Sequence, residues 1–182
     1  MDPDGRDIWG IEKKGKIIRR IEDKSQDAFY VVAKDADGKY QRTYLKDDDR
    51  NINYDSISFN YGTIESQRSI SYSGDGETYD AYKVRGDGNG ITLFAFLGNN
   101  VTPCNSKVEI GQAMTGIEGD KGLNFITTGH QRGSEPGGTH LLNGQLRNGY
   151  TVRELNHTHP LSPSRAILIT DTKPRLVANT QK

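Results

Sequence analysis

The chain has 182 residues, 32% of them apolar, and a mean hydropathy of -0.77, which fits one soluble domain with an economical core and polar loops. Its 24 basic residues are balanced by 24 acidic ones, which argues against a nucleic-acid partner, and no stretch approaches the length of a membrane span. A lone cysteine, Cys104, excludes an internal disulfide and a Cys-x-x-Cys zinc knuckle, while 21 glycines predict many turns between short strands rather than long helices.

Residues 1–7 (MDPDGRD) are polar and turn-forming, and are expected to be a linker inherited from something upstream. This opening is acidic and lacks the apolar run of a signal peptide. Residues 8–11 and 16–21 predict two short strands around a turn at Lys13-Lys14-Gly15, with Trp9 as a core anchor. The basic cluster Lys13, Lys14, Lys16, Arg19 and Arg20 is answered by Glu22 and Asp23, as on a solvated hairpin face. Residues 28–33 (AFYVVA) predict a third strand. The KDDDRN stretch at 46–51 lacks the alternating ligands of a calcium loop and is expected to be a solvated loop. Residues 54–64 and 79–84 alternate apolar and polar side chains, as half-buried strands do, with a turn at 73–77 between them.

Gly86-Asp87-Gly88-Asn89-Gly90 resembles a phosphate loop only superficially, because the Lys-Ser/Thr that grips a phosphate is missing. It is expected to be a loop leading into a short buried helix at 91–97, ended by Gly98. Cys104 has no base beside it in sequence and is expected to be a small buried or half-buried residue. Strands are predicted at 106–114 and 123–128, a glycine-rich loop at 129–138 and a short helix at 139–146. Residues 150–155 alternate strictly and deliver the chain into Asn156-His157-Thr158-His159-Pro160, after which 166–170 is again strand-like.

All four histidines, His130, His140, His157 and His159, lie in the last third. On an extended backbone, side chains two apart share a side, so His157 and His159 can reach one metal ion from one strand end. Pro160 then stiffens the exit. This holds two zinc ligands without cysteine, and a hydrolytic site adds a third ligand, an open position and a base. The bland alternative is a pair of surface histidines with no ligand role.

The order of elements decides between them. A buried helix, a strand bearing Glu109, another strand, and a strand ending in His-x-His-Pro resemble the JAB/JAMM metalloprotease family. In that family two histidines and an aspartate of a later Ser-x-x-Asp hold zinc, a glutamate takes a proton from the attacking water, and the serine stabilises the oxyanion. A closer resemblance runs along nearly the whole chain, to the JAB-like toxin domain at the C-terminus of Bacteroidetes Rhs-repeat proteins. It is carried by Asp2-Pro3-Asp4-Gly5-Arg6-Asp7-Ile8-Trp9, Arg20-Ile21-Glu22-Asp23-Lys24, Gln26-Asp27-Ala28-Phe29-Tyr30, Lys107-Val108-Glu109 and Thr128-Gly129-His130. Its most specific part is the run from Gly149 to Pro160.

The resemblance implies an α+β fold with a mixed, mainly antiparallel sheet and a few short helices. That fold is a cytidine deaminase-like JAB/JAMM core over residues 86–182, preceded by a β-rich region at 8–85. It implies zinc held by His157 and His159, with Glu109 as the general base, Asn156 orienting a ligand from behind and His130 lining the cleft; Asp171, if the loop folds back, is the candidate third ligand, and Ser164 the candidate catalytic serine. Glu118 and Glu154 are rivals for the base, and His140 is read as a surface residue. It further implies a secreted effector without its own signal peptide, acting in the target-cell cytoplasm on a protein or peptide and held in check by an immunity protein. Neither nucleic acid nor a membrane is expected as a partner.

The pattern breaks after Pro160. Three residues beyond Ser162 stands Arg165, and three beyond Ser164 stands Ile167. Asp171 is the sole downstream aspartate and follows a strand-like run rather than opening a helix. A base lost near Ser164 would explain this, since restoring it gives Ser-x-Gly-Asp-Ile from codons compatible with residues 165–168. On that expectation the C-terminus is truncated or frameshifted; the alternative to the enzyme is a catalytically inactive binding module on the same fold, with an incomplete metal site.

Overall fold

The computed structural model describes residues 7–12, 15–22, 26–46, 52–54, 56–72, 77–101, 108–132, 135–144, 149–159 and 167–171. The turn at Lys13-Lys14, the aspartates of the 46–51 stretch, the core of the 73–77 turn, Cys104 and the whole of 160–166 lie outside the described residues.

The N-terminal part is a small mixed sheet. β1 (Asp7–Glu12) pairs antiparallel with β2 (Ile17–Glu22) and parallel with β3 (Asp27–Lys34). β3 also pairs antiparallel with β4 (Tyr40–Arg42) and with β7 (Ser56–Phe59), while β5 (Tyr44–Lys46) and β6 (Ile52–Tyr54) form a separate ribbon. β3 is buried from Asp27 through Val32, which is why it reads as a continuous apolar run rather than an alternating one.

The larger sheet has the order β13-β12-β10-β11-β9-β8 and is antiparallel throughout. Its strands are β8 (Ile64–Ser71), β9 (Thr78–Arg85), β10 (Val108–Thr115), β11 (Leu123–Arg132), β12 (Val152–His159) and β13 (Ile167–Asp171). Helix α1 (Asp87–Val101) links β9 to β10, and helix α2 (Pro136–Asn143) links β11 to β12. The architecture is α+β with mostly antiparallel sheets. β8 and β9, grouped with the N-terminal region by sequence, hydrogen-bond into the same sheet as the strands that follow.

The two faces of this sheet carry different cores. Leu93, Phe94 and Leu97 of α1 cluster with Tyr82, Val84, Ile110 and Ile126, and with Trp9, Ile11, Phe29, Val31 and Phe59 from the N-terminal sheet. On the other face Leu141 of α2 clusters with Tyr79, Ala81, Ala113, Leu123 and Phe125. Alternation along the strands produces this division, because neighbouring residues such as Ile110 and Gly111 point to opposite sides.

Helix α1 starts at Asp87, four residues earlier than expected, and takes in most of the glycine run. Gly90 is required there, since an added methyl would collide with the Asn124 side chain. Asn124 is buried and its amide donates to the Gly86 carbonyl at 3.2 Å and to Asp87 at 3.3 Å. The helix start is thus moulded around a side chain from β11. The strand β11 also runs further than expected, to Arg132, through residues read as loop. No helix among the described residues is long and apolar enough to cross a membrane.

Candidate functional site

The ladder between β10 and β12 ends beside Glu109 and His157. Their paired register runs from Thr115↔Val152 to Gly111↔His157. At the next position the Ile110 amide turns to the Thr158 hydroxyl, 2.9 Å away, instead of to a strand carbonyl. Among the described residues no ladder pair joins the two strands beyond Gly111↔His157. On the α2 side this leaves a cleft of about 290 Å³, with Glu109, Gly111, Glu135, Asn156 and His157 on its polar end and Phe125, Leu141, Leu142 and Leu155 on its apolar end. Glu109, Gly111 and Ala113 share that face by strand alternation.

A bulge flanks Glu109 on its other side. Val108 pairs with Arg132 and Ile110 with Thr128, so three residues of β11, Gly129 to Gln131, stand opposite Glu109 alone. Bulges of this kind bend a strand and re-aim the side chains around it. His130 sits in this bulge with a φ of 57°, a conformation uncommon outside glycine. Its Nε2 lies 2.9 Å from Asp80, whose other oxygen receives the Ser69 hydroxyl. His130 does not line the cleft.

Glu135 is a site residue that the sequence reading missed. It is the N-cap of α2, where its carboxylate accepts from the Gly137 N–H at 3.1 Å and from the Gly138 N–H at 2.7 Å. The carboxylate rests in a notch that only glycine leaves open, since a methyl on Gly111 would stand 2.6 Å from Glu135 Oε2. Gly111 is the residue directly across from His157, so the notch brings Glu135 beside the histidine's strand partner. Burial pushes the Glu135 carboxyl up, and the nearby Glu109 charge adds to this, against hydrogen bonds from Gly138, Thr127 and Gly137. Burial, with the Glu135 charge beside it, also pushes the Tyr79 hydroxyl up to about 12, and that hydroxyl shares a 2.8 Å hydrogen bond with His140 Nδ1. The signal in sequence was Glu135-Pro136-Gly137-Gly138, a helix-start pattern with proline at the first position.

Other expected site residues fall elsewhere. Asn156 contributes to the cleft wall, but its side-chain amide donates to Gln112 Oε1 at 3.1 Å, and Gln112 in turn donates to Asn124 at 3.1 Å. That ladder runs on the α1 face, behind the sheet from His157. Glu118, just before a 3-10 turn (Gly119–Lys121), and Glu154, paired with Met114, do not line the cleft. His159 closes β12 and Asp171 closes β13, but the side chains of both, and all of Ser164, lie outside the described residues.

Among the described residues no three His, Cys, Asp or Glu side chains form a metal-holding group. The cleft itself offers one imidazole and two carboxylates, nitrogen and oxygen donors of the kind zinc takes. Its carboxylates can move a proton, and its other end can seat an apolar group a short distance away.

No curated protein and no solved structure matches the chain. The model of a family described as JAB-like toxin 1 matches residues 82–175, just over half of the chain, and that span runs from β9 through β13 and encloses the whole cleft. By that match the chain belongs to the JAB-like toxin 1 family.

Proposed function

We propose that this toxin domain is a zinc-dependent peptidase or isopeptidase whose centre lies between β10 and β12. The observation that carries the reading is the shared cleft of Glu109 and His157, at the point where the ladder between their strands ends. His157 and His159 hold the metal with Asp171 as third ligand. The metal, when bound, polarises the substrate carbonyl and acidifies water. Glu109 takes the proton of the attacking water and passes it to the leaving amine. Glu135 keeps α2 seated over the cleft and adds negative potential beside Glu109. Ser164 donates to the developing oxyanion. The domain travels as the tip of an Rhs-type secreted protein, acts in the cytoplasm of a competing bacterium, and is neutralised by a cognate immunity protein.

Metal analysis of the purified chain after zinc loading tests this. About one zinc per chain is expected. His157→Ala removes it, and Glu109→Gln retains the metal while losing hydrolysis by two orders of magnitude or more. A zinc-loaded chain whose metal content is the same with and without His157 contradicts the reading.

The broken Ser-x-x-Asp pattern at Ser162/Arg165 and Ser164/Ile167 favours a second reading, a non-catalytic binding module on the same fold. That module retains no zinc and still captures its immunity partner, so the same metal measurement separates the two.

A further inference from the structure

We propose that the hollow at the start of α1 is a binding site for the phosphate group of a small phosphomonoester. This hollow, about 300 Å³, lies where the turn before β8, the end of β9, the start of α1 and the 3-10 turn meet. Tyr61, Thr63, Arg85, Gly88, Asn89 and Asp120 are among the residues that line it. None of them lines the cleft of Glu109 and His157, so the site stands apart from the proposed chemistry.

Two separate observations point to a ligand here. The first is a helix start whose donors are open. Gly86 stands just before Asp87, the first helical residue, and has no side-chain oxygen with which to cap the turn. Its own N–H goes to the Gly122 carbonyl at 2.8 Å, and its carbonyl takes the Gly90 N–H at 3.0 Å. The N–H groups of Asp87, Gly88 and Asn89, between these two, have no carbonyl of a preceding turn to meet. Gly88 and Asn89 border the hollow, and Gly88 faces open space, with nothing within 4 Å of where a methyl would stand. The second observation is Thr63. It is only 6% exposed, and both of its backbone groups are engaged, the N–H with Asn60 at 3.1 Å and the carbonyl with the Arg85 N–H at 2.8 Å. Its hydroxyl makes no hydrogen bond among the described residues, although Thr63 walls the hollow. A hydroxyl this buried is ordinarily partnered, so an atom seated in the hollow would complete it.

The donors select the class of ligand. Amides at a helix start favour an anion, and the guanidinium of Arg85 adds to them. Arg85 is shared, since it also pairs with Glu65 and donates to the Lys121 carbonyl at 3.4 Å. Asp120 opposes an anion from the rim. Asp87 meets part of the helix dipole already, turned away to Arg153 at 2.7 Å. Net charge here is thus modest, and the many donors are what remains. That balance suits a group with several strong acceptor oxygens, as a phosphate has, over a single-point anion such as chloride. A phosphate leaves part of the hollow unfilled. Tyr61, 42% exposed on its border, gives the organic part of an ester an aromatic face.

The test is an NMR titration of the 15N-labelled full chain with phenyl phosphate, at neutral pH, fixed ionic strength and without zinc. The amide signals of Gly88 and Asn89 are expected to shift and saturate with a Kd of about 1 mM or tighter. Inorganic phosphate should bind severalfold more weakly. Thr63→Val, which removes the hydroxyl and keeps the shape, should weaken phenyl phosphate about tenfold. Asp120→Asn, at an exposed position, should leave the melting temperature unchanged and tighten binding about threefold. No saturable shift at Gly88 and Asn89, inorganic phosphate binding tighter than the ester, or an affinity untouched by Thr63→Val overturns the site. Should Thr63→Val fail to fold, an affinity untouched by Asp120→Asn overturns it alone.

Discussion

A carboxylate capping a helix is ordinarily favoured in its charged form, yet burial and the neighbouring Glu109 push Glu135 the other way. Its folded pKa lies above the ordinary glutamate value of 4.5, so folding makes its ionisation harder than in the unfolded chain. By linkage, this group's contribution to stability is fully present below that ordinary value and is lost as pH rises through the folded one. Glu135→Gln carries no charge and keeps one acceptor oxygen, so it loses one of the Gly137 and Gly138 bonds, a loss that does not vary with pH. Thermal melts of both proteins from pH 4 to 7.5 should therefore show the wild type falling relative to the variant as pH rises. Parallel curves would mean that Glu135 ionises without penalty. Sequence alone flagged His157 through the spaced His-x-His-Pro motif and Glu109 through its place in the order of elements. Glu135 escaped because its role depends on a glycine notch built from β10 and α2, distant in sequence and joined only by the fold.

At the scale of elements, α1 shows why glycine-rich stretches mislead. Gly86 to Gly90 read as loop, but Gly90 is small because the Asn124 side chain occupies the space beside it, and Gly86 turns the chain into the helix with a φ of +86°. The amides of Asn156, Gln112 and Asn124 form a buried ladder that ends on this helix start. Asp87 completes it. Burial opposes its charge, but Arg153 at 2.7 Å, the Gly119 N–H and Asn124 outweigh this and hold its carboxyl below the usual range. Arg153 reaches Asp87 from a bulge between the Met114↔Glu154 and Thr115↔Val152 pairs, an irregularity that strict alternation at 150–155 gave no sign of. Asn124→Ala should strand the buried Gln112 amide, at about 1–3 kcal/mol for a polar group left unpaired, while the Gly86 carbonyl keeps the Gly90 N–H at 3.0 Å. Asn89→Ala, on the exposed side of the same helix, should stay within about 0.5 kcal/mol. Urea unfolding of both variants measures the contrast. Equal losses would show that the ladder adds nothing beyond ordinary surface bonds.

For the whole molecule, the order of strands and helices from residue 79 onward was legible, because alternation and the buried run at 91–97 are local signals. The pairing was not. Sequence does not display that β8 and β9 close the larger sheet, or that the N-terminal sheet shares a core with α1. That core joins Trp9, stacked on Phe29 at 4.8 Å, to Tyr82, which meets Phe29 edge-on at 5.3 Å. The family match begins only at residue 82, yet Leu93, Phe94 and Leu97 are covered in part by Trp9, Ile11, Phe29, Val31 and Phe59. Burying a large apolar side chain contributes about 1.5–3 kcal/mol, so five of them together rival the 5–15 kcal/mol net stability of a typical domain. A fragment of residues 64–182 keeps every strand of the larger sheet and both helices, but it leaves one face of α1 to water. It should melt without a cooperative transition and bind a hydrophobic dye such as ANS, while the full chain melts sharply and does not. A sharp transition in the fragment, within a few degrees of the full chain, would show that the N-terminal sheet is an independent unit resting on a core complete without it.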